Sequence, residues 1–420
     1  MLKKAFLILL ISAVGAGAAA QTSLDECIKL ACDNYPQVKE MSLIEATGNY
    51  DISSAGMAWI PQLSISGKAS WQSQVVEMPF EMPGVDFNIP HDQYVVTADL
   101  TQQIWDGGAT RSRKELSAAG TDVKKKQLET SLYSLKARVE NVYLGVILID
   151  KQIELNKLLE KSLLRSKEDV SAMVSEGMAL STDLDQISVN ILNCLQQRSA
   201  LESDRQSYLK VLGLLTGRDM TSETLVAPET TSVEGSYDFS QRPEMSLYAA
   251  QLEQSELQLK QINTQISPKL NLNLQGGYGR PGMNMLSGDF SGYFVAALKF
   301  QWNIGALYTR SNDIRKAKAD AARIELDRET FLLNSSIEAE QKMNEIKKAQ
   351  DVLTQDADII SLRKRIRETG ETQYKEGAIK MSDFLSLLDE EYKALANESL
   401  HRVQLIMSIY DYKNTTGQTL

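Results

Sequence analysis

Four stretches of the chain alternate between apolar and polar residues with a period of two. At 62–71, Leu63, Ile65, Gly67, Ala69 and Trp71 are set against Gln62, Ser64, Ser66, Lys68 and Ser70. At 94–105, Val96, Ala98, Leu100 and Ile104 oppose Thr97, Asp99, Thr101 and Gln103. At 269–278, Leu270, Leu272, Leu274 and Tyr278 oppose Asn271, Asn273 and Gln275. At 293–302, Phe294, Ala296, Leu298, Phe300 and Trp302 oppose Lys299 and Gln301. Side chains of a strand point alternately to opposite faces, so each stretch predicts a two-faced β-strand. Runs of about ten residues suit a tilted strand across a bilayer, apolar toward lipid and polar toward a lumen. Trp71, Trp105 and Trp302 lie at strand ends, where aromatic residues mark membrane interfaces. A soluble amphipathic hairpin alternates in the same way and is the competing reading.

A second pattern predicts very long helices. Leu128, Leu132, Leu135, Val139, Val142, Val146, Ile149 and Ile153 step by three and four, the 3.5-residue seam of a coiled coil. No proline falls between 108 and 175, or between 305 and 375. At 1.5 Å per residue either helix extends roughly 100 Å. Shorter helices are predicted at 180–216 and 380–416.

The landmarks recur in one order about 200 residues apart. WIPQLSISG (59–67) resembles QISPKLNLN (265–273), and QQIWDGGATRSRKELSAAG (102–120) resembles KFQWNIGALYTRSNDIRKAKA (299–319). SEGMALSTDL (175–184) and KEGAIKMSDF (375–384) break the helical pattern alike, with Gly177 and Gly377 each followed six residues later by Asp183 and Asp383. LLTG (214–217) answers NTTG (414–417). The expected organisation is a first repeat over 21–220, a linker over 221–242 and a second repeat over 243–420. Helix 243–267 and the N-terminal helix would complete the shorter helices, giving four helical columns below four strands, with the linker and both termini near mid-height.

Four strands cannot close a barrel, and open sheet edges are not tolerated in lipid. Membrane-spanning strands would therefore require copies that share one barrel, eight strands for a dimer and twelve for a trimer.

Lys3 and Lys4, the apolar run from Ala5 to Val14, and AGAAA before Gln21 read as a secretory signal peptide over 1–20. Cys27 lies too far along to be the lipidated first residue of a lipoprotein. The formal charge of −10, about −12 without the two leader lysines, argues against nucleic-acid partners. Three cysteines (Cys27, Cys32, Cys194) without a CxxC read as packed thiols. Two histidines, His91 and His401, leave little for metal or triad chemistry, so neither a catalytic site, a metal nor a cofactor is expected. The Gly277-x-Gly279-x-x-Gly282 spacing imitates a dinucleotide fingerprint, but no helix follows it; GGYGRPG reads instead as a loop between the third and fourth strands. The proline-rich 72–93 reads as the loop between the first and second.

The ordered set of LDECIKLACDNYPQV (24–38), the proline-led strands, QQIWDGGATRSR, EGMALSTDL, YKEGAIKMSDFLSLLDEEY, LLTG and NTTG resembles the outer-membrane efflux protein family, the TolC-like channels of tripartite pumps. The resemblance implies a mixed α/β membrane protein: a homotrimer sharing a twelve-stranded β-barrel, continued by an α-helical barrel into the periplasm. The implied role is an exit duct for an efflux pump, or alternatively for type I protein secretion. Implied partners are a periplasmic adaptor and an inner-membrane transporter of RND or ABC type. The resemblance also puts Gly177, Met178, Gly377 and Ala378 in adaptor-docking tips and Asp383 in a pore constriction with Asp183 and Tyr374. Where the family often carries a second acid this chain has Ser386, and Ile379 occupies the basic latch position. From a different class, a soluble periplasmic coiled-coil adaptor or scaffold would use the same helices with a small soluble sheet.

Overall fold

The structure is a computed structural model that describes residues 21–75, 90–228, 233, 238–285 and 288–418. The proposed leader, most of the first proline-rich loop and parts of the linker lie outside the described residues. The chain folds as two compact units, one from residues up to 39, 131–242 and 332 onward, the other from 40–130 and 243–331. No described helix is long and apolar enough to cross a membrane.

The second unit is built on a four-stranded antiparallel sheet of β2 (Gln62–Trp71), β3 (Asp92–Trp105), β5 (Lys269–Arg280) and β6 (Ser291–Gln301), in the order β2-β3-β5-β6. Register keeps like with like. Leu63 pairs with Leu100 and Leu100 with Leu274, while Ser64 pairs with Asp99 and Asp99 with Gln275. One face is thereby apolar and the other polar.

Four strand boundaries differ from the alternation: β3 begins at Asp92, β5 runs to Arg280, and β6 begins at Ser291 and stops at Gln301, leaving Trp302 just beyond it. The larger correction concerns GGYGR, which is strand and not loop. Glycine is needed there for close approach: a Cβ on Gly277 would lie 2.3 Å from the Tyr293 ring, and one on Gly279 would lie 2.5 Å from the Tyr94 carbonyl oxygen. In a strand, glycine marks such contacts.

α2 (Val38–Gly56), α5 (Pro243–Gln265) and the first parts of α3 (Ala109–Ser175) and α6 (Ala306–Lys375) accompany the sheet. Asp106 opens α3: its Oδ1 accepts from the Gly108 amide (2.9 Å) and its Oδ2 from the Thr110 amide (2.7 Å). An acceptor at this position satisfies amides that have no partner within the helix.

The first unit is helical. α1 (Leu24–Asn34) is separate from α2 because Tyr35, preceding Pro36, is held extended. Cys27 and Ala31 of α1 belong to one apolar cluster with Leu135, Val139 and Tyr143 of α3, Leu209 and Leu212 of α4 (Ser181–Thr216) and Val403 and Ile406 of α7 (Met381–Thr416). All three cysteines are free, and burial pushes the Cys27 thiol up to about 12. Two-residue strands β1 (Gln21–Thr22) and β4 (Thr224–Leu225) pair in parallel. The Tyr143 hydroxyl lies 2.8 Å from the Thr22 carbonyl oxygen and 2.7 Å from that of Val226.

Candidate functional site

The two helix breaks fold into the same turn. Gly177 and Gly377 both have φ of 73°, the left-handed conformation that favours glycine. After α3 the Gly177 amide donates to Val174 O (3.0 Å) and the Met178 amide to Met173 O (2.8 Å). After α6 the Gly377 amide donates to Tyr374 O (2.9 Å) and the Ala378 amide to Gln373 O (2.8 Å). These pairs are the six-to-one and five-to-two bonds of a Schellman ending. A Cβ on either glycine meets nothing within 4 Å, so backbone conformation, not space, selects glycine.

Each returning helix opens on its aspartate. Asp183 Oδ2 accepts from the Leu180 amide and Asp383 Oδ2 from the Lys380 amide, both at 3.3 Å. A carboxylate in the first turn also complements the helix dipole. The Gly-to-Asp spacing of six is thus the length of a Schellman ending followed by an N-terminal cap.

Side chains differ between the turns. Tyr374, at the position of Val174, is buried and stacks on Phe384 with centroids 5.8 Å apart and planes at 14°. Both join Leu163, Val170, Ile187 and Met381 in one apolar cluster. The Tyr374 hydroxyl has no hydrogen-bond partner among the described residues, and burial, then Asp183, raises its pKa. Asp183, Tyr374, Lys380 and Met178 line one open cleft of ≈ 580 Å³ between the turns. Ser386 stands apart from it, exposed on α7 beside Leu385 and Asp389 in another cavity. Met178 is 63% exposed, and Ala378 and Asp383 are exposed as well. Elsewhere on the same two helices Arg367 donates to Glu391 (2.8 Å) and Arg363 pairs with Glu390 (3.0 Å), tying α6 to α7.

A second constellation carries no signal in the sequence. Glu140, 3% exposed, accepts from the Asn414 Nδ2 at 2.5 Å, and Tyr133 Oη and Arg242 Nη1 donate to the Asn414 carbonyl (2.7 and 2.9 Å). Burial raises the Glu140 carboxyl to about 7, against the lowering effect of Asn414 and Lys136. A glutamate in a long helix reads as a surface residue, and its partner lies 274 positions away. No described group of three or more His, Cys, Asp or Glu could hold a metal ion.

On the sheet, the apolar face is uncovered. Leu63 is 65% exposed, Ile65 73%, Phe294 67% and Leu298 63%. Trp71, Trp105 and Trp302 are exposed too, with Trp302 Nε1 donating to Ile266 O at 3.0 Å. The polar face is internally bonded: Ser66 Oγ lies 2.8 Å from Thr97 Oγ1, and Asp99 accepts from Thr97 (3.0 Å) and Gln275 (2.6 Å).

Comparison with known proteins agrees with this geometry. The family model described as outer membrane efflux protein matches residues 27–218. No match is found among curated protein sequences. Among solved structures, the CmeC outer membrane channel of Campylobacter jejuni is similar at a TM-score of 0.68 and 16% identity, over 94% of this chain and 85% of that one. The outer membrane protein VceC of Vibrio cholerae gives a TM-score of 0.68 at 13% identity over 94% and 96%. The open state of the MtrE channel of Neisseria gonorrhoeae gives 0.68 at 13% over 94% and 88%. The chain therefore has the fold of these channels, and its residues 27–218 match the family model of the outer membrane efflux proteins.

Proposed function

We propose that the protein is the outer-membrane exit duct of a tripartite efflux pump, passively conducting cargo that an inner-membrane transporter drives. The observation that carries this reading is the sheet with one apolar face uncovered, one polar face bonded to itself, and two open edges. Monomeric soluble proteins rarely leave such a continuous apolar face to water. Lipid accepts the apolar face but not the open edges, because unpaired backbone groups find no partner there.

The topology supplies the remedy. β2 and β6, the two edges, run antiparallel to one another, so β6 of one copy pairs with β2 of the next without breaking the alternation. Three copies make a twelve-stranded barrel with its polar face inward. Trp71, Trp105 and Trp302 then sit at the membrane interfaces.

The tips take the other end of the task. Gly177, Met178, Gly377 and Ala378 form the surface on which a periplasmic adaptor docks, and the adaptor links the duct to an RND- or ABC-type transporter. Asp383, Asp183 and Tyr374 narrow the pore, with Ser386 one turn further along α7. Three copies of Asp383 make an acid ring, which favours cations at that constriction.

Fractionation and reconstitution test the reading together. The expected result is recovery in the outer membrane as a heat-labile trimer in detergent that gives stepwise conductance in planar bilayers. Recovery in a detergent-free periplasmic extract would overturn it in favour of a soluble scaffold.

A further inference from the structure

The ionisable side chains of the sheet are sorted between its faces. By register, the polar face carries Lys68, Lys269, Lys299 and Asp99. The apolar phase carries only Asp92 and Arg280, at the rim and paired with each other. Asp99 is half-buried and spoken for by Thr97 and Gln275. The three lysines are exposed and none forms an ion pair among the described residues. The polar face therefore has an excess of two positive charges per copy, in a chain whose formal charge is −10. The lysines also sit at two levels. Lys269 pairs with Gln301 and Lys299 with Asn271 at one end of the sheet; Lys68 pairs with Val95 toward the other.

We propose that these lysines make the barrel wall selective for anions, so that the cargo class favoured at this end of the duct is anionic solutes. The proposal rests on the reading of the sheet as a shared barrel, whose threefold repetition turns each lysine into a ring of three. Rings of cationic side chains lining a pore favour anions. An unpaired ammonium keeps its field for the lumen, whereas Asp99 shares its charge with two donors already. Between the charged levels the wall offers Ser64, Ser66, Thr97, Thr101, Asn273 and Gln275, whose hydroxyls and carboxamides bond polar solutes of either sign. The competing account is edge protection, since Lys68 and Lys299 lie on the two edge strands and lysine there discourages unwanted strand pairing.

Reversal potentials across planar bilayers in a KCl gradient, at low ionic strength where screening is weak, decide the matter. Full-length wild type, a Lys68→Gln/Lys269→Gln/Lys299→Gln variant and the matching Lys→Arg variant are compared. The anion-to-cation permeability ratio is expected to fall at least about twofold in the Gln variant, as loss of nearby like charges demands. The Arg variant is expected to keep the wild-type ratio. Channels that conduct with an unchanged ratio in the Gln variant would overturn the proposal and leave edge protection as the lysines' role. Absence of any conductance from wild type would instead overturn the barrel reading itself. Should the triple Gln variant fail to insert, Lys299→Gln alone, with a ratio unchanged from wild type, overturns the proposal equally.

Discussion

Phe294 in the sheet is 67% exposed, while Phe384 in the helical unit is 3% exposed; Leu298 is 63% exposed and Leu388 5%. The same side chains are treated oppositely in two regions of one chain. In the helical unit, apolar residues step by three and four and meet other helices, and the buried set closes on itself. In the sheet they alternate and collect on one face that stays largely exposed. A protein wholly in water has no reason to maintain that second arrangement, whereas lipid rewards it with no further packing.

The largest expected effects break or confirm this contrast directly. Phe384→Ala should cost the helical unit about 3–5 kcal/mol in denaturant unfolding, the usual range for emptying a buried phenylalanine site. Phe294→Ala should leave that transition in place, whereas Phe294→Arg should cost about 2–4 kcal/mol for assembly into bilayers. Equal losses for the two alanine variants in water would erase the distinction between the regions.

Next comes Glu140, the most deeply buried acid among the described residues of the helical unit. Glu140 has a folded pKa of about 7 against an ordinary 4.5. The folded state therefore binds its proton more tightly than the unfolded chain does. The associated stability is fully present below about pH 4.5 and is lost as pH rises through about 7, by about 3 kcal/mol in total. Denaturant midpoints measured from pH 4 to 8 should show this decline, and Glu140→Gln should remove it.

Smaller effects attach to the turns. Gly177→Ala and Gly377→Ala should each cost about 1–2 kcal/mol, from the left-handed backbone and not from a clash. Asparagine, which tolerates that conformation, should cost less at both. Asp183→Ala and Asp383→Ala should each cost about 0.3–1 kcal/mol through the helix dipole. Asp383→Ala is expected to weaken block of single-channel current by multivalent cations as well; unchanged block would remove Asp383 from the constriction.

What the sequence disclosed follows from physical range. Alternation is local, so β2 was legible as 62–71, and the absence of proline together with a 3.5-residue seam announced α3. The turns were legible because Gly177 and Gly377 are forced by φ and Asp183 and Asp383 by the amides they cap. GGYGR misled because the need for glycine lies across the strands, in Tyr293 and Tyr94. β1 and β4 are two residues each, too short to show a period. The Glu140–Asn414 pair and the orphaned Tyr374 hydroxyl depend on chain segments far apart in sequence, which no periodicity announces.

The barrel claim is tested most directly by spin-labelled cysteines along β2 of the protein in lipid vesicles, in a background lacking Cys27, Cys32 and Cys194. Labels at Leu63→Cys and Ile65→Cys should collide preferentially with oxygen dissolved in lipid. Labels at Ser64→Cys and Ser66→Cys should collide with a water-soluble nickel chelate, so that accessibility alternates with a period of two. Uniform chelate access at all four positions would contradict the account.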